Sequence, residues 1–194
     1  MNSKILNTTI GILEQIHNAG ESINGTSEIQ QVNTGFILSD LDLNEEELDI
    51  RKYYDDVLGE NYTARMKIEQ DHYLFLEYAL KHKISEIQYF HKGENETSRK
   101  FIVFSGDCIN CIQILIRPDK NMLCVFMRSS DALRLLPMDI LACIKILHKV
   151  LERHGIQKKT TDNISFFITS AHYYERDQSI VEKLIGLDTL KDEN

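Results

Sequence analysis

The chain has no tryptophan, only two prolines and nine glycines among 194 residues, and no long apolar run. A helix that crosses a bilayer needs about 20 apolar residues in succession, so no transmembrane segment is expected. The start, Met1-Asn2-Ser3-Lys4, leads into a mixed polar stretch instead of a signal-peptide core, and a cytoplasmic protein is the expectation. Basic runs are missing as well. With 22 Lys and Arg against 30 Asp and Glu, the formal charge of −8 repels a polyanion, so nucleic acid is not an expected partner. One or two local arginines can still hold a small phosphorylated ligand. Four cysteines in a chain of this size do not suggest a disulfide scaffold, and the thiols are read as reduced.

What is present suits one α/β domain covering residues 1–194. At 42% hydrophobic and 27% charged, the chain can bury one substantial core but is short for two. Leu6, Ile10, Leu13 and Ile16 recur at helical spacing, which predicts an amphipathic helix from Lys4 to Asn18, ended by Ala19-Gly20. Between Ser22 and Leu38 the Gly, Ser, Thr and β-branched residues predict short strands and turns. Asn44 with Glu47 resembles a capping box that opens a helix to Leu58, with Gly59 as its stop, and Glu45-Glu46-Glu47 reads as a solvated first turn. Tyr73, Leu76, Leu80 and Ile84 mark another helix, and Lys92 to Ser98 a loop. Strands follow at Arg99 to Ser105, Ile112 to Arg117 and Met122 to Arg128, the last two forming a hairpin about the turn Pro118-Asp119-Lys120-Asn121. Pro137 suits a first helical turn, opening a long helix that stops near Gly155. Asn163 to Thr169 predicts a buried strand, and Gln178 to Leu184 a last helix.

Two stretches could carry chemistry. Cys108-Ile109-Asn110-Cys111 invites a redox or metal reading, but it enters a β-rich run where a thioredoxin-like pair would open a helix. Neither Cys124 nor Cys143 has a second ligand at zinc spacing, so no metal is expected. Arg128-Ser129-Ser130-Asp131 could be no more than a strand end and a cap. Its position alters the balance. Arg128 lies twenty residues after Cys108, and a hairpin of two similar arms brings its ends together, which sets a thiol near a cation able to grip phosphate.

Taken in order, Cys108, Gln113, Arg128-Ser129-Ser130-Asp131, Leu136-Pro137-Met138-Asp139 and His172-Tyr173-Tyr174 resemble the pattern of the thymidylate synthase and deoxycytidylate hydroxymethylase family. Ser98-Arg99-Lys100-Phe101-Ile102-Val103 resembles that family's Ser-Arg-Arg segment, and the likeness is clearest over residues 98–175. The resemblance implies a mixed β-sheet flanked by helices, a homodimer, and a pyrimidine nucleoside monophosphate as ligand. It also implies that Cys108 adds to C6 of the base, making C5 nucleophilic toward a one-carbon unit from 5,10-methylenetetrahydrofolate. In the same terms Arg128 and Ser129 bind the 5′-phosphate, with Arg99 and Lys100 reaching the partner subunit's phosphate. Gln113 and Asp139 face the base, His172 and Tyr174 hold the sugar, and Asp131 meets the cofactor. Where thymidylate synthases carry Asn, this chain has Asp139, as in the deoxycytidylate hydroxymethylases. A carboxylate accepts from the cytosine 4-amino group, so a cytosine nucleotide, dCMP or CMP, is expected.

The departures weigh against the folate half of the reaction. Ile109 replaces the family's His after the nucleophile, and Leu135 stands where the family has Gly. The water-ordering Glu has no evident counterpart unless Glu45 to Glu47 or Glu60 substitutes, the phosphate-loop Arg is not evident near Ser22 to Thr26, and the acidic terminus at Leu187 to Asn194 lacks an apolar tail. Nucleotide binding is therefore better supported than methyl transfer, and a non-catalytic nucleotide-binding homologue is the alternative. Arg117 and Arg134 read as surface residues, and His148 and His154 as helix residues without a catalytic part.

Overall fold

The computed structural model describes residues 3–22, 27–67, 102–104, 108–116, 121–153 and 163–186, together with Leu74, Glu77, Tyr78, Lys81, His82 and Ser85. Helix α1 runs Lys4–Ala19, as its periodicity predicts. Ser3 caps it by accepting from the Leu6 N–H, and Ile5, Leu6, Ile12, Leu13 and Ile16 are all buried along one face. Truncating one of them, such as Leu13→Ala, would cost about 2 to 5 kcal/mol. The two-residue β1 (Glu21–Ser22) precedes β2 (Glu28–Ser39), a single strand of 12 residues where the composition predicts several short ones. Asn33 accommodates the departure, with φ 58 in mid-strand, while pairing continues on both sides from Glu28↔Tyr174 to Ser39↔Asn163.

Helix α2 (Leu43–Lys52) is capped by Asp42, not Asn44; the Asp42 Oδ1 accepts from the N–H of Asn44 at 2.9 Å. The helix widens into a π-helical turn over Tyr53–Leu58 and stops at Gly59, whose φ of 64 suits glycine. The acidic run is not a solvated turn. Glu46 is buried, accepts from the Ser3 hydroxyl and from the N–H groups of Lys4 and Ile5, and so closes the open N-terminus of α1. Glu47 takes the Tyr62 hydroxyl at 2.8 Å and the Lys145 ammonium at 2.7 Å. Of the helix expected around Tyr73 to Ile84, the six described residues are helical; the loop at Lys92 to Ser98 lies outside the described residues.

Among the described residues, six strands form one mixed sheet in the order β1-β2-β6-β5-β4-β3, with β3 at Ile102–Phe104, β4 at Ile109–Ile116, β5 at Asn121–Asp131 and β6 at Asn163–Tyr174. The β4–β5 hairpin forms as expected, from Ile116↔Asn121 upward, with a bulge between Ile109 and Cys111. Helix α3 (Leu136–Arg153) carries the chain from β5 back to β6, and these two strands alone are parallel. Strand β6 continues five residues beyond the predicted end at Thr169, because β2 on one side and β5 on the other both pair with it there. A 3-10 turn (Glu175–Asp177) and helix α4 (Gln178–Leu184) follow.

One face of the sheet is covered by α1 and α3 and supplies the core, where Leu123, Val125, Met127, Ile164, Phe166 and Ile168 are buried. Alternation along the strands puts the intervening residues on the other face, which is apolar and open: Ile37 is 70% exposed, Phe104 74%, Phe126 46% and Phe167 41%. No described helix is long and apolar enough to cross a membrane.

Candidate functional site

Parallel strands joined by a helix leave a crevice beyond their carboxyl ends, and here that crevice is a cavity of about 820 Å³ at the ends of β5 and β6 beside the start of α3. Cys108, Ser129, Asp131, Asp139, His172 and Tyr174 all line it. They come from four separated segments: the approach to β4, the end of β5, the first turns of α3 and the end of β6.

The hairpin closes the distance between Cys108 and Arg128, since the Arg128 N–H donates to the Cys108 carbonyl at 2.7 Å. The guanidinium does not follow. Arg128 alternates with buried Met127, is exposed, and is not among the residues that line the cavity. Gln113 is likewise absent from the lining and pairs in register with Cys124 in mid-sheet. Arg99 and Lys100 lie outside the described residues. Cys111, the second thiol of the CxxC, does not line the cavity; burial and the neighbouring Cys124 push its pKa up. Among the described residues, no group of three His, Cys, Asp or Glu could hold a metal ion.

Asp131 is buried and uses one oxygen to fasten the turn into α3, accepting from the N–H groups of Leu133 and Arg134 at 3.0 Å each. The Tyr53 hydroxyl donates to the Leu133 carbonyl at 2.8 Å, and the Tyr54 hydroxyl to the Arg134 carbonyl. Burial raises the pKa of both phenols, so they remain neutral donors. Burial also raises the Asp131 carboxyl, opposed by the two N–H groups and by the His172 and Arg134 charges. Asp139, 4% exposed, accepts the Ser130 hydroxyl at 3.0 Å, which orients its carboxylate toward the cavity wall. His172 is 8% exposed, its ring edge-on to Tyr174 at 5.7 Å, and its Nδ1 finds no hydrogen-bond partner among the described residues. A buried polar atom left unsatisfied is costly.

In comparisons with known proteins, no family model and no curated protein matches this chain.

Glu28, Arg65 and Arg176 line the cavity without a sequence signal of their own, and Glu60 and Arg134 join them. Arg134 corrects a sequence expectation, being no surface residue. Its Nε and Nη2 donate to Asp177 at 3.0 and 2.7 Å, and its Nη1 to Glu60. These carboxylates hold its pKa above the ordinary arginine value, with the Asp177 hydrogen bonds as the largest cause. Of Glu45 to Glu47 and Glu60, Glu60 reaches the cavity, and it does so paired to Arg134. Arg176 places its guanidinium over the Tyr174 ring, 4.7 Å from the centroid. The spacing of Arg134 from Asp131 was visible in the sequence, but its partners lie 43 and 74 residues away.

Proposed function

We propose that this cavity binds a pyrimidine nucleoside monophosphate, a cytosine nucleotide by preference, and that the protein is a C5-modifying enzyme resembling thymidylate synthases and deoxycytidylate hydroxymethylases. One observation carries the reading: a thiol, a buried carboxylate and a His–Tyr pair from four separated segments meet in one cavity large enough for a nucleotide.

Asp139 accepts from the 4-amino group of the base, with Ser130 steadying the carboxylate. His172 and Tyr174, neighbouring rings in the lining, take the sugar hydroxyl. Ser129, with Arg65 and Arg176 as further cations in the lining, supports the phosphate end. The Cys108 thiolate forms a bond to C6, and the electron pair of the C5–C6 double bond moves to C5, which takes a proton from solvent. Loss of the original C5 hydrogen as a proton, with cleavage of the S–C6 bond, restores the base. An aldehyde-level carbon captured by C5 in place of the proton leaves a hydroxymethyl group by the same elimination.

The open sheet face supports a back-to-back homodimer, because Ile37, Phe104, Phe126 and Phe167 form an apolar surface that a second copy would cover. In that arrangement Arg128 is carried to the subunit boundary, where the resemblance also puts Arg99 and Lys100. The 5,10-methylenetetrahydrofolate that the resemblance implies has no contact assigned beyond Asp131, and the chemistry above uses nucleotide, thiol, solvent and a small carbon donor alone.

Incubation with dCMP, CMP and dUMP tritiated at C5 tests this reading. Release of tritium from the cytosine nucleotides, abolished in Cys108→Ser, supports catalysis; binding without release supports the non-catalytic homologue; absence of binding removes both. Asp139→Asn is expected to move the preference toward uracil, and an unchanged preference would refute the role given to Asp139.

A further inference from the structure

Asp139, to which the reading above gives the 4-amino group of the base, is held with little freedom. It is 4% exposed in the first turn of α3, and its Oδ2 accepts from the hydroxyl of Ser130, itself 3% exposed at the end of β5, at 3.0 Å. The turn between them is fixed at several points. Asp131 accepts from the N–H groups of Leu133 and Arg134, and Arg134 is clamped by Asp177 and Glu60. The carboxylate therefore meets a bound base without first reorganising, and it shares the cavity with Cys108.

Once the Cys108 sulfur has bonded to C6 and C5 has taken a proton, the cytosine ring is no longer conjugated through C5–C6. C4 then belongs to an amidine, which water attacks far more readily than it attacks C4 of the intact aromatic base. An active site protects such an intermediate by excluding water. This cavity is lined to hold it. Glu28, Arg65 and Arg176 bring partly or fully exposed charge to the lining, charged groups keep their hydration, and a nucleoside monophosphate does not fill about 820 Å³. Water therefore reaches C4 at the place where a carboxylate faces the amino group.

We propose that the protein also deaminates its nucleotide, converting dCMP or CMP into the uracil nucleotide through the Cys108 adduct, with Asp139 carrying the proton. The proposal rests on the nucleotide and thiol-adduct reading of the same cavity. A water oxygen bonds to C4, and the electron pair of the C4–N3 double bond moves to N3. One of the water's protons passes through Asp139 to the amino nitrogen, which leaves as ammonia, and the other ends on N3. Loss of the original C5 hydrogen as a proton, with cleavage of the S–C6 bond, then frees the uracil base. Cytosine and water give uracil and ammonia, so the step needs no oxidant and no further co-reactant.

Product analysis on the full chain tests this. dCMP tritiated at C5 is incubated in water enriched in heavy oxygen, and tritium release, ammonia and nucleotide products are measured together. Expected is dUMP that carries the heavy oxygen at O4 and has lost its tritium, with an equal amount of ammonia, and no dUMP from Cys108→Ser. Asp139→Asn should lower the ratio of dUMP formed to tritium released by about a hundredfold, the scale of a lost acid–base group, and this ratio does not depend on how tightly the base is bound. If Asp139→Asn turns over no dCMP, Ser130→Ala decides, with a smaller fall in the same ratio. Tritium release without dUMP, dUMP that keeps its tritium or persists in Cys108→Ser, or a ratio unchanged in the deciding variant would overturn this proposal alone. Binding of dCMP with neither release nor dUMP would overturn it together with the catalytic reading, and a failure of dCMP to bind would remove the nucleotide reading as well.

Discussion

The two walls of the cavity are both polar, yet they are satisfied to different degrees. On the clamp wall, Arg134 spends three N–H groups on Asp177 and Glu60, and Asp131 spends an oxygen on the turn that carries it. At the end of β6, His172, the register partner of Asp131, keeps a buried Nδ1 without a partner among the described residues. A wall with complete hydrogen bonding serves stability, and a wall with an unmet group serves a ligand. Substitutions should divide accordingly.

The largest effect expected is on chemistry. Cys108→Ser should reduce tritium release from C5 to background while leaving nucleotide binding within a few-fold, as measured by calorimetry; release that persists would place the chemistry elsewhere. Next, Arg134→Leu should lower stability by about 2 to 3 kcal/mol in urea unfolding, because it leaves two carboxylates without their charged donor. A change within about 0.5 kcal/mol would make it an ordinary surface residue and erase the contrast between the walls. His172→Phe should do the reverse, weakening nucleotide affinity about tenfold, or 1.4 kcal/mol, with an unchanged or raised melting temperature, since it removes an unsatisfied buried atom. Loss of stability without loss of affinity would count His172 among the structural residues.

The smallest effect concerns Asp131, at the end of β5. Burial raises its folded pKa, so the native state retains a proton that the unfolded chain has released. Stability contributed by this group falls as pH climbs from the ordinary aspartate range through the raised value, and stays lower above it. Asp131→Asn keeps an oxygen for the N–H groups of Leu133 and Arg134 and does not titrate. Its melting temperature should exceed that of the wild type at neutral pH, and the advantage should vanish on acidification. An advantage independent of pH would show that ionisation of Asp131 is not its source.

Much of the framework is legible locally. The spacing of Leu6, Ile10, Leu13 and Ile16, the turn at 118–121 between two apolar runs, and Pro137 ahead of a helical stripe each report on neighbours within a few residues, and α1, the β4–β5 hairpin and α3 follow from them. The ordered motifs also bring Cys108, Ser129, Asp131, Asp139, His172 and Tyr174 to one place, because the hairpin and the β5–α3–β6 crossover both end at the same edge of the sheet. Strand β2 was misread as short pieces because its continuity comes from pairing with β6, a partner more than a hundred residues away in the chain.

The sequence alone determined which residue types stand at the ends of these elements, since strand alternation, caps and turns act over a few residues. Only the tertiary structure decided which of them work together. Glu46, one of three consecutive glutamates, is buried against the start of α1, and Arg128 sits by backbone beside Cys108 yet stays out of the cavity because alternation sends it to the outer face. Arg134 is one of 22 basic residues until chain segments 43 and 74 positions away bring it two carboxylates. Charge pairing across such separations depends on where the sheet delivers each segment, and no local pattern encodes it.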